Sequence, residues 1–339
     1  MSSNRSSLVP RLLDNLIWVL LLVAAVAFSV LTDQFLTVNN LVNVLVHSSV
    51  LGIMVIGQSF TLVTANFDLS AESTLGLVAM VGAYLMAAAG EPSNGSGLML
   101  HPAAAVVAML ALGLLIGVIN GQLITRLRMN NFVVTLSMLI VVRGLAFLLT
   151  QGKTVTRLPG SFKVLGHGAI GPVPISVVIL IAAFLVAAAI TRSTRFGRDL
   201  YAVGGNRDAA VASGIDADRR VRQVYLISGA LAAFAAWVEL GRLGVGATRI
   251  GEGMIFEIQA AAVIGGISLF GGRGTMIGAL GGVLLLSLIN SGLNLMRVSG
   301  FAIDMVRGIV ILAAMLIDAQ KLRYRQPTAR PGSATRLAA

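Results

Sequence analysis

The chain of 339 residues contains no cysteine, and only 12% of its residues carry charge. Without cysteine there can be no disulfide framework and no thiolate metal site. A water-soluble domain carries about 25% charged residues, so this chain has too little charge to cover an aqueous surface. The rest is dominated by apolar residues, at 56% hydrophobic with a mean hydropathy of +0.89. We therefore expect the lipid bilayer to be the solvent for most of the chain.

Apolar runs of membrane-spanning length recur along the whole sequence. A spanning helix needs about 20 apolar residues, and this rule predicts an all-α, multi-pass membrane protein with about ten transmembrane helices. Several of the runs are short or interrupted by glycine, and we expect Leu75–Ala89 and Ile255–Phe270 to form tilted, broken or partly spanning helices. The other predicted spans are Leu16–Leu31, Leu41–Thr64, Ala103–Ile124, Phe132–Leu149, Ile175–Ile190, Val224–Leu240, Met276–Leu295 and Phe301–Ile317.

The basic residues predict the orientation, because Lys and Arg are retained on the cytoplasmic side of a membrane. Most of them fall on one side if both termini are cytoplasmic. This predicts a cytoplasmic tail at 1–15, a transmembrane domain at 16–318 and a basic tail at 319–339 close to anionic lipid headgroups. It places loop 192–222 inside and loop 151–174 outside. The net charge of +11 is thereby explained by the membrane, and we expect no nucleic-acid partner.

Motifs for catalysis or cofactor binding are incomplete. The segment QGKT at 151–154 lacks the first glycine of a phosphate-binding loop, since that position is Phe147. The segment GGRGTMIG at 271–278 has Ile277 where a dinucleotide-binding motif needs glycine. The three histidines have no metal-binding spacing. We expect no catalytic residue, cofactor or metal.

One polar stretch, Leu200–Arg220, interrupts the apolar sequence. Asn206 suits a helix N-cap, Asp208 suits the first turn, and Gly214 suits a left-handed C′ position. These residues predict a helix of about two turns on the cytoplasmic face. Either it docks on another protein through a small apolar surface, or it is a solvated loop with membrane-orienting arginines.

Four segments together resemble the sugar-transporting ATP-binding-cassette (ABC) importer permeases of the ribose, xylose, arabinose and galactose type. The first is YAVGGNRDAAVASGI, which is similar to the cytoplasmic coupling loop of that family. The others are Gly117–Val155, Phe256–Leu295 and Asp304–Asp318, so the resemblance covers most of the chain from about Leu41 onward.

The resemblance implies a transport subunit that has no ATP site of its own. It implies three partners: an ATP-hydrolysing subunit, a periplasmic or lipoprotein sugar-binding protein at the outer face, and a second permease copy, identical or a sister chain. It also implies the bacterial inner membrane. The coupling residues that it assigns are Gly204, Gly205, Asn206, Asp208, Ala209, Ala210, Ser213 and Gly214.

The segment Ala65–Ser73 departs from the family pattern. It reads ANFDLSAES where the family has Gly-Gly-Ile-Asp-Leu-Ser-Val-Gly-Ser, so three glycines are absent and Glu72 adds a carboxylate. A carboxylate at membrane depth is costly and usually functional. We therefore interpret Asp68 and Glu72 either as part of the substrate path or as structural groups.

Polar residues within the spans are candidates for a substrate pathway, because neutral amides and a few carboxylates can bond the hydroxyls of a polyol. The alternative is that each one ties helices together. Arg143, deep in its span, is expected to pair with a carboxylate, and Arg307 lies near a helix end. The predicted pathway residues are Gln58, Asp68, Ser70, Glu72, Asn120, Glu239, Glu257, Asn290 and Asn294.

The residues leave two other functions open and argue against a third. A nucleoside or other polar solute could use the same fold. An ion-coupled secondary transporter would use carboxylates such as Asp68 and Glu72, but it has no need for a docking loop. A membrane enzyme would require clustered reactive residues, and the sequence offers none.

Overall fold

The computed structural model describes residues 16–303 and residues 305, 306, 308, 309 and 312. Both predicted tails, Arg307 and most of the predicted span after Phe301 therefore lie wholly or partly outside the described residues. The described chain is mostly helical, with almost no strand. Its helices are α1 (Leu16–Leu31), α2 (Val38–Val63), α3 (Ala71–Met86), α4 (Pro102–Thr125), α5 (Asn131–Thr150), α6 (Val164–His167), α7 (Ile175–Ser193), α8 (Arg195–Gly205), α9 (Arg207–Ala212), α10 (Ala217–Leu243), α11 (Met254–Ile264) and α12 (Met276–Leu295).

Six of the helices within the described ranges are long and apolar enough to cross a membrane: α2, α4, α5, α7, α10 and α12. Three shorter apolar helices, α1, α3 and α11, accompany them. The structure thus supports a multi-pass helical membrane protein, and it leaves the figure of about ten spans a prediction. The predicted helix Ile255–Phe270 ends at Ile264, because Gly265 and Gly266 follow and Gly266 adopts a φ of 90°.

Side-chain caps fix where several helices begin. Thr37 accepts a hydrogen bond from the N–H of Asn40 at the start of α2, and Asn130 accepts from the first turn of α5. Asp216 does the same at α10. Each cap satisfies a backbone donor that has no partner within the helix, so these boundaries follow from local sequence.

Helix α10 lies at the centre of the bundle and packs against α2, α3 and α4. Gly113 and Gly117 of α4, four residues apart, allow this helix to cross α10 closely. A Cβ at Gly117 would lie 2.4 Å from the carbonyl oxygen of Tyr225, and one at Gly113 would lie 2.4 Å from that of Gly229. These two glycines therefore serve the packing of α4 on α10.

The loop at 151–174 is compact. It contains a 3-10 turn (Gly160–Lys163), α6 and a short antiparallel pair, β1 (Ala169–Ile170) and β2 (Val173–Pro174). Val155 pairs with Gly246, and Gly166 packs closely on Gly241 and Arg242. The loop is therefore joined to the end of α10.

Candidate functional site

A polar cavity of about 550 Å³ lies between the first half of α2, the start of α11 and the second half of α12. Its volume is within the range of ligand sites, roughly 300–1,000 Å³. Polar side chains line most of it, an unusual surface for a membrane interior. The lining residues are Asn40, Asn43, Val44, His47, Leu51, Met254, Glu257, Ser287, Asn290, Ser291, Asn294 and Leu295.

Hydrogen bonds between helices hold the cavity wall in place. Ser291 donates to the side-chain oxygen of Asn40 at 2.6 Å, which joins α12 to α2. Asn290 donates to Glu257 at 3.5 Å, which joins α12 to α11. Asn43, His47 and Asn294 are exposed. The wall thus combines fixed amides with side chains that can bond a solute.

A helical hairpin lies at the other end of α2, formed by α8, α9 and the start of α10. Asn206 caps α9 by accepting from the N–H of Ala209 at 2.9 Å, and Gly214 follows the helix with a φ of 84°. The predicted cap, helix and left-handed glycine are therefore confirmed. The sequence did not predict α8. The last turn of α8 packs on α2, since a Cβ at Gly204 would lie 1.8 Å from the carbonyl oxygen of Val63.

Ion pairs hold this hairpin together and join it to the loop after α4. Asp218 at the start of α10 contacts Arg128 at 3.2 Å and also pairs with Arg207 of α9. Asp199 pairs with Arg220 at 2.6 Å. A groove of about 560 Å³ runs beside α9 and includes Arg207, Asp208, Val211 and Asp216 in its wall.

Ala210 does not belong to the exposed side of α9. It is buried against Val203 and Ala217 in a small apolar cluster inside the hairpin. The largest apolar side chain that α9 exposes is Val211, with 54% of its surface accessible. Because Ala210 packs within the hairpin, it cannot offer a contact surface, and Val211 takes that place.

A second polar cluster surrounds Asp68, in the segment between α2 and α3. Its carboxylate accepts from the hydroxyl of Ser70 at 2.7 Å and from that of Ser228 at 2.6 Å. Asn120 donates to the Ser70 hydroxyl at 2.8 Å. The hydroxyl of Tyr225 donates to the carbonyl of Phe67 at 2.7 Å. These bonds connect the segment between α2 and α3 with α4 and α10 through buried groups.

Glu72 forms an ion pair with Arg143 at 3.3 Å, and the N–H of Ile255 donates to its other oxygen at 2.9 Å. Arg143 also donates to the carbonyl oxygens of Thr248 and Ile250. The expectation that Arg143 pairs with a carboxylate is confirmed. The pair connects α3, α5 and the start of α11.

Comparison with known proteins places the chain. A family described as "Branched-chain amino acid transport system / permease component" matches residues 40–315. The ribose import permease protein of Escherichia coli (strain K12) is 37% identical over 311 residues, covering 91% of this chain and 93% of that protein. The chain belongs to this permease family.

Two further relatives of the permease come from the same organism. The D-allose transport system permease protein is 32% identical over 301 residues, covering 89% of this chain and 90% of its own length. The galactose/methyl galactoside import permease protein is 32% identical over 327 residues, covering 94% and 97%. No solved structure matches the permease.

The cavity contains three of the predicted pathway residues of the permease: Glu257, Asn290 and Asn294. The others lie outside its lining. Ser70 and Asn120 belong to the Asp68 cluster, Glu72 pairs with Arg143, and Glu239 pairs with Arg242 at 2.7 Å. Gln58 is buried completely, and neither atom of its amide has a hydrogen-bond partner in the described part of the chain.

Sequence reasoning missed the contribution of α2 to the cavity. Asn40, Asn43 and His47 lie near the start of the helix, where polar residues are ordinary. Their spacing of three and four residues was the available signal, since it places them on one face of a helix. Within the described residues no group of acidic, histidine or cysteine side chains could hold a metal ion.

Proposed function

We propose that the permease is the membrane-spanning subunit of an ABC importer in the bacterial inner membrane. It would move a monosaccharide or related polyol from a binding protein into the cytoplasm. The observation that carries this proposal is 37% identity over 91% of the chain to a ribose import permease. Allose and galactose permeases match over similar lengths, which favours the sugar class over the amino acids in the family description.

The chemistry of the cavity supports a polyol substrate. Amides and hydroxyls both donate and accept hydrogen bonds, as sugar hydroxyls do. Asn40, Asn43, Asn290 and Asn294 supply amides, and Glu257 supplies an acceptor. An amino-acid zwitterion would require a compensating charge of each sign when it leaves water. We include Asn40, Asn43 and His47 in the proposed pathway beside the three residues that the sequence predicted.

The hairpin of α8 and α9 is proposed as the docking element for a separate ATP-hydrolysing subunit. Its cap and closing glycine support a defined shape, and the exposed Val211 beside the groove supports an apolar contact. Asp208, Ala209, Ser213 and Gly214 lie on its exposed part. Gly204 belongs to the last turn of α8, which packs on α2.

The proposed topology has about ten transmembrane helices with both termini in the cytoplasm. Segment 16–318 forms the transmembrane domain, loop 192–222 docks the ATPase, and loop 151–174 faces the binding protein. Two permease copies would complete the pore. The attachment of loop 151–174 to the end of α10, remote from the hairpin, supports the placement of the two loops on opposite sides.

Asp68 and Glu72 remain predicted pathway residues whose bonds favour a structural role. Each is buried and has protein partners on other helices. A side chain committed to such bonds would have to exchange them for bonds to the substrate. Asn43 and His47 are exposed in the wall of the cavity, so we give the cavity the first place in the pathway.

Reconstitution into liposomes tests the proposed function. With its ATPase and a loaded binding protein, the permease should accumulate labelled D-ribose, D-allose or D-galactose when ATP is enclosed with the ATPase. Uridine in parallel tests the nucleoside alternative. The permease without the ATPase should accumulate none of the sugars, even with a proton or sodium gradient. Gradient-driven uptake by the lone subunit would contradict an ABC importer.

A further inference from the structure

One face of α2 carries the cavity residues and continues inward to Gln58. The cavity is lined along α2 by Asn40, Asn43, Val44, His47 and Leu51. An α-helix makes one turn in 3.6 residues and rises 1.5 Å per residue. A residue seven positions after Leu51 therefore lies on almost the same face, about 10 Å further along the helix. That residue is Gln58.

Gln58 is separated from the cavity by apolar side chains. Leu51 forms the inner limit of the lining on α2, and Met54 and Val55 occupy the next turn. All three are almost completely buried, and Gln58 has no exposed surface. The polar face of α2 is thus interrupted by one apolar turn and then resumes at a sealed amide.

The amide of Gln58 is unsatisfied in this structure. Neither its nitrogen nor its oxygen has a hydrogen-bond partner among the described residues. A buried amide without partners costs free energy, and an apolar side chain of the same size would avoid that cost. The neighbouring Ser59 shows the usual solution, because its hydroxyl donates to the carbonyl of Val55 at 2.7 Å.

We propose that Gln58 is an inner substrate-contact position that bonds a sugar hydroxyl after the substrate has left the polar cavity. This inference rests on the proposed sugar-import function. An amide offers two donors and an acceptor without charge, which suits a neutral polyol and retains no ion. Leu51, Met54 and Val55 would separate the outer cavity from this inner position until the substrate passes.

The test compares sugar discrimination in Gln58→Leu, Gln58→Asn and the wild type. The reconstituted wild type is first given D-ribose, D-allose and D-galactose, and the sugar that it transports best is paired with its monodeoxy analogues. Loss of one neutral hydrogen bond should lower uptake of the parent sugar about two- to tenfold. Uptake of the analogue that lacks the hydroxyl bonded by Gln58 should stay unchanged. The variant should therefore no longer discriminate between the parent sugar and this analogue. Gln58→Asn retracts the amide by one methylene and should weaken the same discrimination.

The matched control is Ser59→Ala, which removes a buried hydroxyl from the same turn and should keep wild-type discrimination. Co-purification of the ATPase and a monodisperse elution profile identify folded variants. Wild-type discrimination in either folded Gln58 variant would overturn the inference, and so would loss of the same discrimination in Ser59→Ala. If Gln58→Leu does not fold, Gln58→Asn decides. A wild type that transports no monosaccharide or related polyol refutes the proposed function, and the inference falls with it.

Discussion

Two carboxylates near the start of α3 are buried by different chemical means. Asp68 is surrounded by neutral donors, namely the Ser70 backbone and two hydroxyls. Glu72 instead faces the guanidinium of Arg143, and the two side chains are only 6% and 14% exposed. Removing one member of a buried pair leaves the other charge uncompensated, at a typical cost of about 3–5 kcal/mol. The Glu72–Arg143 pair therefore allows a direct measurement of a structural role.

We expect a double-mutant cycle at Glu72 and Arg143 to show strong coupling. Arg143→Met should destabilise the protein by about 3–5 kcal/mol, because Glu72 then keeps only the Ile255 N–H. Glu72→Gln should cost less, about 1–3 kcal/mol, since Arg143 keeps two carbonyl acceptors. The double variant should be less destabilised than the sum of the singles. Thermal melting in detergent measures all three.

The exposed pair Arg249–Glu252 serves as the control for this cycle. Its side chains are 78% and 52% exposed, so solvent screens the charges and Glu252→Gln should leave the melting temperature unchanged. Additive effects at Glu72 and Arg143 would contradict the structural role. Wild-type melting of Glu72→Gln combined with lost sugar uptake would return Glu72 to the substrate path.

At the scale of elements, the junction between α8 and α2 depends on a glycine. Gly204 lies over the hydrogen bond from the Gly272 N–H to the Val63 carbonyl, and an added Cβ would come within 1.8 Å of that oxygen. Gly204→Ala should destabilise the protein by about 1–3 kcal/mol through overpacking and should weaken ATPase binding. Melting temperature and co-purification of the ATPase are the two measurements.

Gly205→Ala is the matched control, because a Cβ at Gly205 meets nothing within 4 Å. This variant should keep the melting temperature of the wild type. Equal effects at the two glycines would mean that chain flexibility, rather than close packing of α8 on α2, explains the glycine pair.

The elements that the sequence predicted well are those whose signal is local. Asn206 begins α9 with its side-chain cap, and Gly214 follows the end of α9 in a left-handed backbone conformation. The predicted end of α11 at Phe270 was wrong. High hydropathy continues through Ile267 and Leu269, but Gly265 and Gly266 turn the chain after Ile264. Average hydropathy does not detect a backbone that leaves the helix. The cavity depends on three helices meeting, so the sequence could nominate Glu257 and Asn290 but not their shared site.

Val211 provides the test of α9 as a docking element. It is exposed beside the groove, so Val211→Glu should leave the melting temperature within about 1 °C of the wild type, as surface substitutions generally do. Burying the new charge in an interface should cost several kcal/mol, and the ATPase should no longer co-purify. Ala210→Glu should instead lower the melting temperature, because Ala210 packs against Val203 and Ala217. Normal ATPase binding by Val211→Glu would place the docking surface elsewhere.

At the scale of the whole molecule, α2 connects the two candidate sites. Its first half lines the polar cavity. Its last residue, Val63, accepts a hydrogen bond from the N–H of Gly272, and Gly204 of the hairpin packs against this bond. Its 26 residues span about 39 Å, so the cavity and the hairpin lie at opposite ends of one rigid element. If an ATPase docks on the hairpin as proposed, α2 is the helix that links this contact to the cavity and to Gln58.

This arrangement requires the two ends of α2 to face opposite sides of the membrane, which cysteine labelling can test. The chain contains no cysteine, so a single introduced thiol has no background. Ile170→Cys, at a site 65% exposed in loop 151–174, should react with a membrane-impermeant maleimide in intact spheroplasts. Ser213→Cys, expressed without the ATPase, should react only after the membrane is opened. Because both sites are exposed, a difference in labelling measures sidedness rather than burial. Labelling of Ser213→Cys in intact spheroplasts would contradict a cytoplasmic hairpin, and with it the assignment of α9 as the ATPase docking element.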